Sequence, residues 1–266
     1  MKHDTVIIIP ARYASSRFPG KPLVRIRGAT GEVRSLIERT WRAATEVDKI
    51  DAIYIATDDD RIADAALSFG ANVVMTDTNC ANGTERCADA IQKLGIQPGV
   101  VVNLQGDAPL TPPWFITSVI DQIKSGANVA TPILRLSARS YTQFVEDRRV
   151  GLVGGTTVVL NNRSQALYFS KEVLPYTGRE YCENNEVPVF QHIGVYAYTS
   201  SALLNYSRNG VCLLEELEGL EQLRFLYNGS SISCVEVQAG GRAFWELNNP
   251  HDTTRIESIL LNEARI

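Results

Sequence analysis

The fold of this 266-residue chain is set at Val6-Ile7-Ile8-Ile9-Pro10-Ala11-Arg12-Tyr13-Ala14-Ser15-Ser16-Arg17-Phe18-Pro19-Gly20-Lys21-Pro22-Leu23. The β-branched run at its start predicts a strand buried on both faces, which is typical of a parallel sheet. The chain then becomes small and polar and carries three cations, Arg12, Arg17 and Lys21. An open α/β sheet binds its ligand where the strands end, and such cations neutralise phosphate oxygens. We therefore interpret the loop as a triphosphate grip.

Two common nucleotide motifs do not match this loop. The dinucleotide-binding motif G-x-G-x-x-G does not follow the strand. A dehydrogenase needs such a motif for its cofactor, so a sugar dehydrogenase is a poor fit. The loop is not a P-loop either, because Gly20-Lys21 lacks the earlier glycine and is followed by Pro22. For any one of these cations, the alternative to phosphate binding is a position in a solvated basic loop without a ligand. Three cations in a turn stiffened by Pro19 and Pro22 favour an anion site.

The composition is that of a soluble globular protein, with 44% hydrophobic and 21% charged residues. The net charge of −4 argues against a nucleic-acid partner, so any anion site must be a local cluster. No apolar stretch approaches membrane-spanning length, and we expect no secretory signal before the first strand. The five cysteines are scattered and none forms a C-x-x-C pair, which indicates neither zinc nor disulfides and fits a reducing cytoplasm.

Strands and helices alternate along the first half of the chain, which predicts a doubly wound, mostly parallel α/β sheet in a single domain. The acidic trio Asp58-Asp59-Asp60 is predicted to cap a helix rather than to bind a metal. The expected strands cover 53–57, 73–75, 100–104 and 129–134, and the expected helices cover 32–47, 61–69 and 114–125.

Two further segments carry candidate site residues. Asn82-Gly83-Thr84-Glu85-Arg86 predicts a helix start capped by Asn82 or Thr84, and its glycine, hydroxyl and guanidinium are also able to read a base edge. Gln105-Gly106-Asp107-Ala108-Pro109 follows a central strand, where a carboxylate faces the ligand crevice. Magnesium prefers carboxylate and phosphate oxygens, so Asp107 is the best metal-ligand candidate, with a turn former as its plain alternative.

The second half of the chain carries weaker local signals. Alternation along the segment 191–198 places His192, Gly194, Tyr196 and Tyr198 on one face of a strand. By helix spacing alone, Glu221 and Arg224 form an i, i+3 surface pair. The expected elements here are an irregular charged segment at 137–155, one strand at 191–198, one helix at 214–226 and a C-terminal helix at 252–263 with Asn248 as its cap.

The motif P-A-R-x-x-S-x-R-x-P-G-K-P-L at 10–23 resembles the signature of the sugar-acid cytidylyltransferases, especially the 3-deoxy-manno-octulosonate (Kdo) cytidylyltransferases. The resemblance covers almost the whole chain. It implies a Rossmann-like nucleotide-diphospho-sugar transferase sheet with a smaller inserted lobe, about 135–215, for acid binding and dimerisation. It also implies CMP transfer from CTP to the anomeric hydroxyl of an acidic sugar, with release of pyrophosphate, in lipopolysaccharide or capsule precursor activation. The further matching motifs are G-T-E-R at 83–86, Q-G-D-x-P at 105–109, A-L-Y-F-S-K at 166–171, the segment 191–198 and L-E-Q-L-R at 220–224.

The resemblance further implies roles for single residues. Arg12, Arg17 and Lys21 hold the phosphates, and Asp107 holds Mg²⁺, the expected cofactor. The expected partners are CTP, a Kdo-like acid and a second copy of the chain, with no nucleic acid and no membrane. The expected nucleotide contacts are Ala11, Gly83, Thr84 and Arg86. The expected contacts with the acid are Gln105, Lys171, His192, Tyr196, Glu221 and Gln222.

Three positions depart from the family pattern. Thr157 stands where the family usually has lysine, Lys171 where it has arginine, and Asn248 where it has the second metal carboxylate. An amide oxygen ligates magnesium without charge, so Asn248 stays a predicted ligand while Asp107 and the nucleotide carry more of the binding, with Glu246 or Asp252 as an alternative compensating carboxylate. Another octulosonate, a nonulosonate or a small phosphonate is therefore an alternative acceptor. A CTP-binding protein without turnover is the alternative of a different class.

Overall fold

The computed structural model describes residues 3–14, 18–153, 155–177, 187–242, 247, 249–250 and 252–263. Within them the chain forms a ten-stranded sheet and a separate two-stranded ribbon. None of the helices in these ranges combines the length and apolar character needed to span a bilayer.

The elements largely follow the expected alternation. The strands are β1 (Thr5–Ala11), β2 (Arg25–Arg27), β3 (Val33–Ser35), β4 (Ala52–Thr57), β5 (Asn72–Met75), β6 (Val100–Leu104), β7 (Val129–Arg135), β8 (Thr157–Leu160), β9 (Ala166–Ser170), β10 (Phe190–His192), β11 (Val195–Tyr198) and β12 (Ser233–Glu236). The helices are α1 (Leu36–Thr45), α2 (Asp60–Ser68), α3 (Gly83–Lys93), α4 (Pro113–Lys124), α5 (Ala138–Arg149), α6 (Ser200–Arg208), α7 (Leu213–Glu218), α8 (Leu223–Tyr227) and α9 (Asp252–Glu263), with a 3-10 turn at Lys21–Leu23.

Strand β1 lies inside the sheet and is buried along its whole length, as its apolar run predicts. It pairs in parallel with β4 and β6, and β5 continues the sheet beyond β4. Ile7 and Ile9 pack in the core cluster that contains residues of α1, α2 and α4, whereas Val6 and Ile8 pack in the cluster that contains residues of α3 and α6. Helices thus cover both faces, and the doubly wound fold is confirmed.

Beyond β6 the sheet becomes mixed, in the order β6-β11-β7-β10-β8-β9, with β12 parallel to β7. Following the pairings across the sheet, β1, β4, β5, β6, β7, β8 and β12 run in one direction and β9, β10 and β11 in the other. Most strands therefore share one direction, which confirms the mostly parallel sheet.

The prediction of an irregular segment at 137–155 is wrong, because 138–149 form α5. Ser137 caps this helix by accepting a hydrogen bond from the Ser140 amide. No residue of α5 is fully buried, and Tyr141 and Phe144 only partly cover a small cluster around Leu136. A helix with so little buried surface lacks the apolar stripe that marks a helix in a sequence.

The prediction of one strand at 191–198 is also wrong, since β10 and β11 pair separately with β7. Residues 193–196 lie opposite only 131–132 of β7, so the chain bulges between the two strands. Pro132 has no N–H for the ladder, and the Thr131 hydroxyl contacts the carbonyls within the bulge. The bulge adds two residues relative to β7, and an even number keeps the side chains before and after it on the same face of the sheet. Ring contacts accordingly link His192, Tyr196 and Tyr198 in a row.

The helix predicted at 214–226 is divided into α7 and α8. Gly219 ends α7 in the left-handed conformation, with a φ of +61°, which favours glycine. Glu221 and Gln222 consequently lie in the turn between the helices rather than on a helix face. The C-terminal helix spans Asp252–Glu263 as predicted, while its expected cap, Asn248, lies outside the described residues.

Candidate active site

The ends of β1 and β6 meet at the phosphate loop. Lys21 Nζ forms an ion pair with Asp107 Oδ2, so the structure brings together a predicted phosphate ligand and the predicted metal ligand. Gly106 permits this approach, because a Cβ at that position would stand 2.8 Å from the Pro10 carbonyl oxygen. The cation and the carboxylate therefore share one edge of the sheet, where an open α/β fold binds ligands.

The loop itself is held closed at its base. The Gly20 amide donates to the Tyr13 carbonyl over 3.0 Å, with Gly20 at a φ of +69°. The Arg61 guanidinium stacks 3.3 Å from the centre of the Tyr13 ring. Ala11 is buried at the end of β1 and Arg12 is exposed beside it. Arg17 lies outside the described residues.

The predicted base-reading segment forms the start of α3. Asn82 is the cap, since its Oδ1 accepts from the Glu85 amide over 2.9 Å. A Cβ on Gly83 would stand 3.0 Å from Gln105 Nε2, so the helix start approaches the end of β6 closely. The Thr84 hydroxyl lies 3.1 Å from the Tyr198 hydroxyl. Gly83, Thr84 and Gln105 are therefore gathered at one helix N-terminus.

Arg86 is placed differently from its neighbours. Its buried guanidinium donates to Asp58 Oδ2 over 3.0 Å and also contacts the Thr76 hydroxyl. It thereby ties together the residues that follow β4 and β5. Asp59 caps α2 as predicted, accepting from the Arg61 amide over 3.0 Å, whereas Asp58 serves Arg86.

The turn between α7 and α8 brings Glu221 to the same place. Glu221 Oε2 accepts from the Thr84 amide over 3.0 Å, and Oε1 accepts from Gln105 Nε2 over 3.1 Å. Burial raises the pKa of this carboxyl, and the bonds from Thr84 and Gln105 oppose that rise. Gln222 is 3% exposed, and its Nε2 has no hydrogen-bond partner among the described residues. A buried amide donor without an acceptor is well suited to a ligand oxygen.

His192 and Tyr196 lie on the same side of the sheet, in a row of rings. The His192 ring packs 5.1 Å from Phe169 and 5.2 Å from Tyr196. Its Nε2 lies 3.1 Å from Thr131 Oγ1, which in turn lies 2.8 Å from the Val195 carbonyl oxygen. Because that carbonyl only accepts, the Thr131 hydroxyl donates to it and accepts from His192 Nε2–H. The neutral ring therefore keeps Nδ1 as an acceptor.

Burial lowers the pKa of His192 to about 3. Below its ordinary pKa near 6.5 the unfolded chain takes up a proton that the folded chain excludes, so stability is lost as the pH falls from about 6.5 toward 3. From pH 7 to pH 5 this group should cost the wild type about 2 kcal/mol of unfolding free energy. His192→Gln should lose that dependence in urea denaturation, and His3→Gln should retain it. Equal pH dependence in wild type and His192→Gln would contradict the assignment.

Lys171 lies beside the α7–α8 turn, away from the phosphate loop. Its amide donates to Glu218 Oε2 over 2.9 Å, and a Cβ on Gly219 would stand 2.8 Å from its Nζ. Thr157, at the usual lysine position, is buried and donates to the Glu172 carbonyl over 2.7 Å. Lys171 is thus beside Gly219, the first residue of the α7–α8 turn, while Thr157 bonds to the backbone that follows β9.

Sequence reasoning missed the charges that hold this turn. Arg224 does not form the surface pair with Glu221 that helix spacing alone allows, because it is buried and bonded to Glu215 and Glu85. The role of Thr131, which accepts a hydrogen bond from His192, was likewise not predicted from the sequence. These contacts join residues far apart in the chain, and no local spacing signals them.

The donor set around Asp107 suits a lightly coordinated cation. Across the described ranges, no group of three or more His, Cys, Asp or Glu side chains is arranged to hold a metal ion. Magnesium is commonly bound by one or two carboxylates together with phosphate and water oxygens, and Asp107 beside the phosphate loop fits that pattern. Asn248, the second predicted ligand, lies outside the described residues.

The sheet, the cationic loop and the aspartate facing it define a nucleotide-binding transferase of the α/β class. More specifically, the chain belongs to the cytidylyltransferase family, which it matches over residues 6–232.

Individual relatives are similar to this chain over most or all of its length. The chain is 41% identical over 265 residues to 3-deoxy-manno-octulosonate cytidylyltransferase of Maricaulis maris, covering 99% of each protein. It is 39% identical to 8-amino-3,8-dideoxy-manno-octulosonate cytidylyltransferase of Shewanella woodyi, covering 87% of this chain and 89% of the relative. The solved structure of CMP:2-keto-3-deoxy-manno-octonic acid synthetase complexed with CTP matches with a TM-score of 0.82 and 30% identity, over 98% of this chain and 99% of that one.

Proposed function

We propose that this protein transfers CMP from CTP to the anomeric hydroxyl of 3-deoxy-manno-octulosonate and releases pyrophosphate. The observation that carries the proposal is the pairing of the phosphate-loop Lys21 with Asp107 at adjoining strand ends. Members of the family that are similar to this chain over its full length are named for this reaction.

Positioning and charge account for the chemistry. The acceptor hydroxyl attacks the α-phosphorus in line, and pyrophosphate leaves with developing negative charge. Lys21 and the exposed Arg12 at the loop supply cations for that charge. We assign the nucleotide base to the start of α3, where Gly83 leaves the backbone uncovered by a side chain and lies close to Gln105. No covalent nucleophile is required.

We propose Mg²⁺ as the cofactor, with Asp107 as its carboxylate ligand and Asn248 as a second ligand. Bound there, magnesium would neutralise phosphate charge and lower the pKa of the attacking hydroxyl. The Lys21 ammonium also forms an ion pair with Asp107 Oδ2. The Asp107 carboxylate would therefore hold the magnesium while remaining within reach of the loop lysine.

The acid is held on the side of the site formed by the α7–α8 turn. Gln222 offers a donor without a partner, His192 an Nδ1 acceptor, and Lys171 a cation for the acid's carboxylate. The closely related 8-amino-3,8-dideoxy-manno-octulosonate is the second candidate acceptor, because relatives with nearly equal identity are named for it.

The test is pyrophosphate release from CTP with each of the two acids, measured over a magnesium titration and after EDTA. We expect release with Kdo that rises with magnesium and falls to background with EDTA. Faster release with the 8-amino acid would reassign the acceptor. CTP binding without release from either acid at any magnesium level would overturn the enzymatic proposal in favour of a non-catalytic CTP-binding protein.

We propose further that the protein is a homodimer in the cytoplasm. Strand β9 lies at the edge of the sheet and exposes Leu167, and α7 beside it exposes Leu213 and Leu217. A second copy covering this edge would bury the exposed side chains of Leu167, Leu213 and Leu217. The four described cysteines are free thiols, which suits a reducing compartment.

A further inference from the structure

A largely buried polar cluster ties the start of α3 to α6, α7 and α8. We call it the α3 clamp, and it consists of Asn82, Glu85, Tyr206, Glu215 and Arg224. None of these side chains belongs to the phosphate loop, the candidate metal site or the row of rings around His192.

Arg224 is the centre of the clamp. Its Nε and Nη2 donate to the two carboxylate oxygens of Glu215, both over 2.7 Å, in a bidentate pair. Its Nη1 donates to Glu85 Oε1 over 2.7 Å and its guanidinium lies 4.2 Å from the centre of the Tyr206 ring. Arg224 is 1% exposed. Burial disfavours its charge, but the bonds to Glu215 and Glu85 more than offset this and raise its pKa.

Asn82 adds a second tie. While its Oδ1 caps α3, its Nδ2 donates to the Tyr206 hydroxyl over 2.8 Å and to Glu215 Oε1 over 3.1 Å. The Tyr206 hydroxyl donates to the Glu221 carbonyl over 3.2 Å. The clamp thus reaches the backbone of the turn that carries Glu221 and Gln222.

We propose that Arg224 is a positioning residue for acceptor binding, and that it acts by fixing the turn of Glu221 and Gln222 against the start of α3. This inference rests on the proposed function. The turn follows α7, which Arg224 holds through Glu215, and precedes α8, which contains Arg224 itself. Arg224 therefore grips both sides of the four-residue turn 219–222, while Glu85 anchors it to α3.

The effect should be selective for the acceptor. The cap of α3 is formed by other atoms than those in the clamp: Asn82 Oδ1 and Glu85 Oε2 accept from backbone amides, whereas the clamp contacts Asn82 Nδ2 and Glu85 Oε1. Loosening Arg224 should therefore move Glu221 and Gln222 while leaving the helix start and the phosphate loop in place.

The test compares Arg224→Lys and Glu215→Gln with wild type. Lysine keeps the positive charge but lacks the planar guanidinium that bonds both oxygens of Glu215 and also Glu85. Glutamine keeps the shape of the Glu215 side chain but removes its negative charge. We expect the KM for Kdo to rise about tenfold in each variant, with the KM for CTP within about twofold of wild type. The matched control is Arg39→Lys, another buried arginine, which bonds to the Ile26 carbonyl and Glu32. It should lower stability without changing the ratio of the two KM values.

A second readout does not depend on turnover. The Thr84 amide is bonded to Glu221, so its hydrogen exchange should accelerate about tenfold in Arg224→Lys and stay at the wild-type rate in Arg39→Lys. Unchanged exchange, unchanged KM for Kdo, or an equal rise of both KM values would overturn the inference. Absence of wild-type turnover would count against the proposed function alone, since exchange at Thr84 still decides the role of Arg224. If Arg224→Lys does not fold, Glu215→Gln decides by the same two measurements.

Discussion

Replacing Lys21 with methionine should lower kcat/KM for CTP by roughly 10²–10³-fold, the usual effect of removing one preorganised group that stabilises transition-state charge. Methionine keeps an unbranched apolar side chain that is one atom shorter, but it has no charge to place on a phosphate. The Lys21 and Asp107 side chains are only 17% and 23% exposed, so the variant leaves a largely buried carboxylate without its cation and should lose about 1–3 kcal/mol of unfolding free energy. Steady-state kinetics and thermal unfolding measure the two quantities.

The matched control for this substitution is Lys93→Met. Lys93 also forms an ion pair with an aspartate, Asp89, over 3.2 Å, but it is more exposed and lies at the C-terminal end of α3. This variant should retain wild-type kinetics. A Lys21→Met protein with a kcat/KM near that of wild type would remove the phosphate loop from the chemistry, and with it the assignment of Asp107 beside the loop.

The central sheet could be predicted because its strands are signalled locally. The run 6–9 is apolar on both faces, and both faces are in fact covered by helices. Ligands bind at the carboxyl ends of the strands in such sheets, which predicts that Lys21 and Asp107 lie at the same edge of the sheet. The structure pairs them there. Here local pattern and global fold agree, so sequence reasoning was sufficient.

The remaining elements depend on contacts that no local pattern contains. The strand at 191–198 is interrupted by Pro132, a residue of its partner strand, and the break cannot be seen in 191–198 itself. Arg224 and Glu85 are 139 positions apart in the chain. Glu221 was expected near the acceptor only through the family resemblance, and its contact with Thr84 is a product of tertiary packing.

Gly106→Ala should have the other large effect, through the backbone rather than through a charge. The added Cβ would stand 2.8 Å from the Pro10 carbonyl oxygen and 3.4 Å from Ile37 Cδ1. The Pro10 carbonyl belongs to the buried strand β1 and has no flexible end to move aside. The ends of β1 and β6 must therefore separate, and Lys21 and Asp107 separate with them.

We expect kcat/KM for CTP to fall about 10²-fold in Gly106→Ala, since a displacement of about 1 Å between reacting groups has that effect, and the free energy of unfolding to fall by about 1–3 kcal/mol. Gly99→Ala is the matched control at the opposite end of β6. Gly99 is exposed, and its Cβ would meet only the Asp4 carboxylate at 3.2 Å and the Asp4 carbonyl at 3.4 Å. If Gly106→Ala unfolds and reacts like Gly99→Ala, the close approach of β1 and β6 is not what aligns the cation with the carboxylate. If only Gly106→Ala loses activity, the activity depends on the absence of a side chain at position 106, which lets β1 and β6 approach and brings Lys21 and Asp107 together.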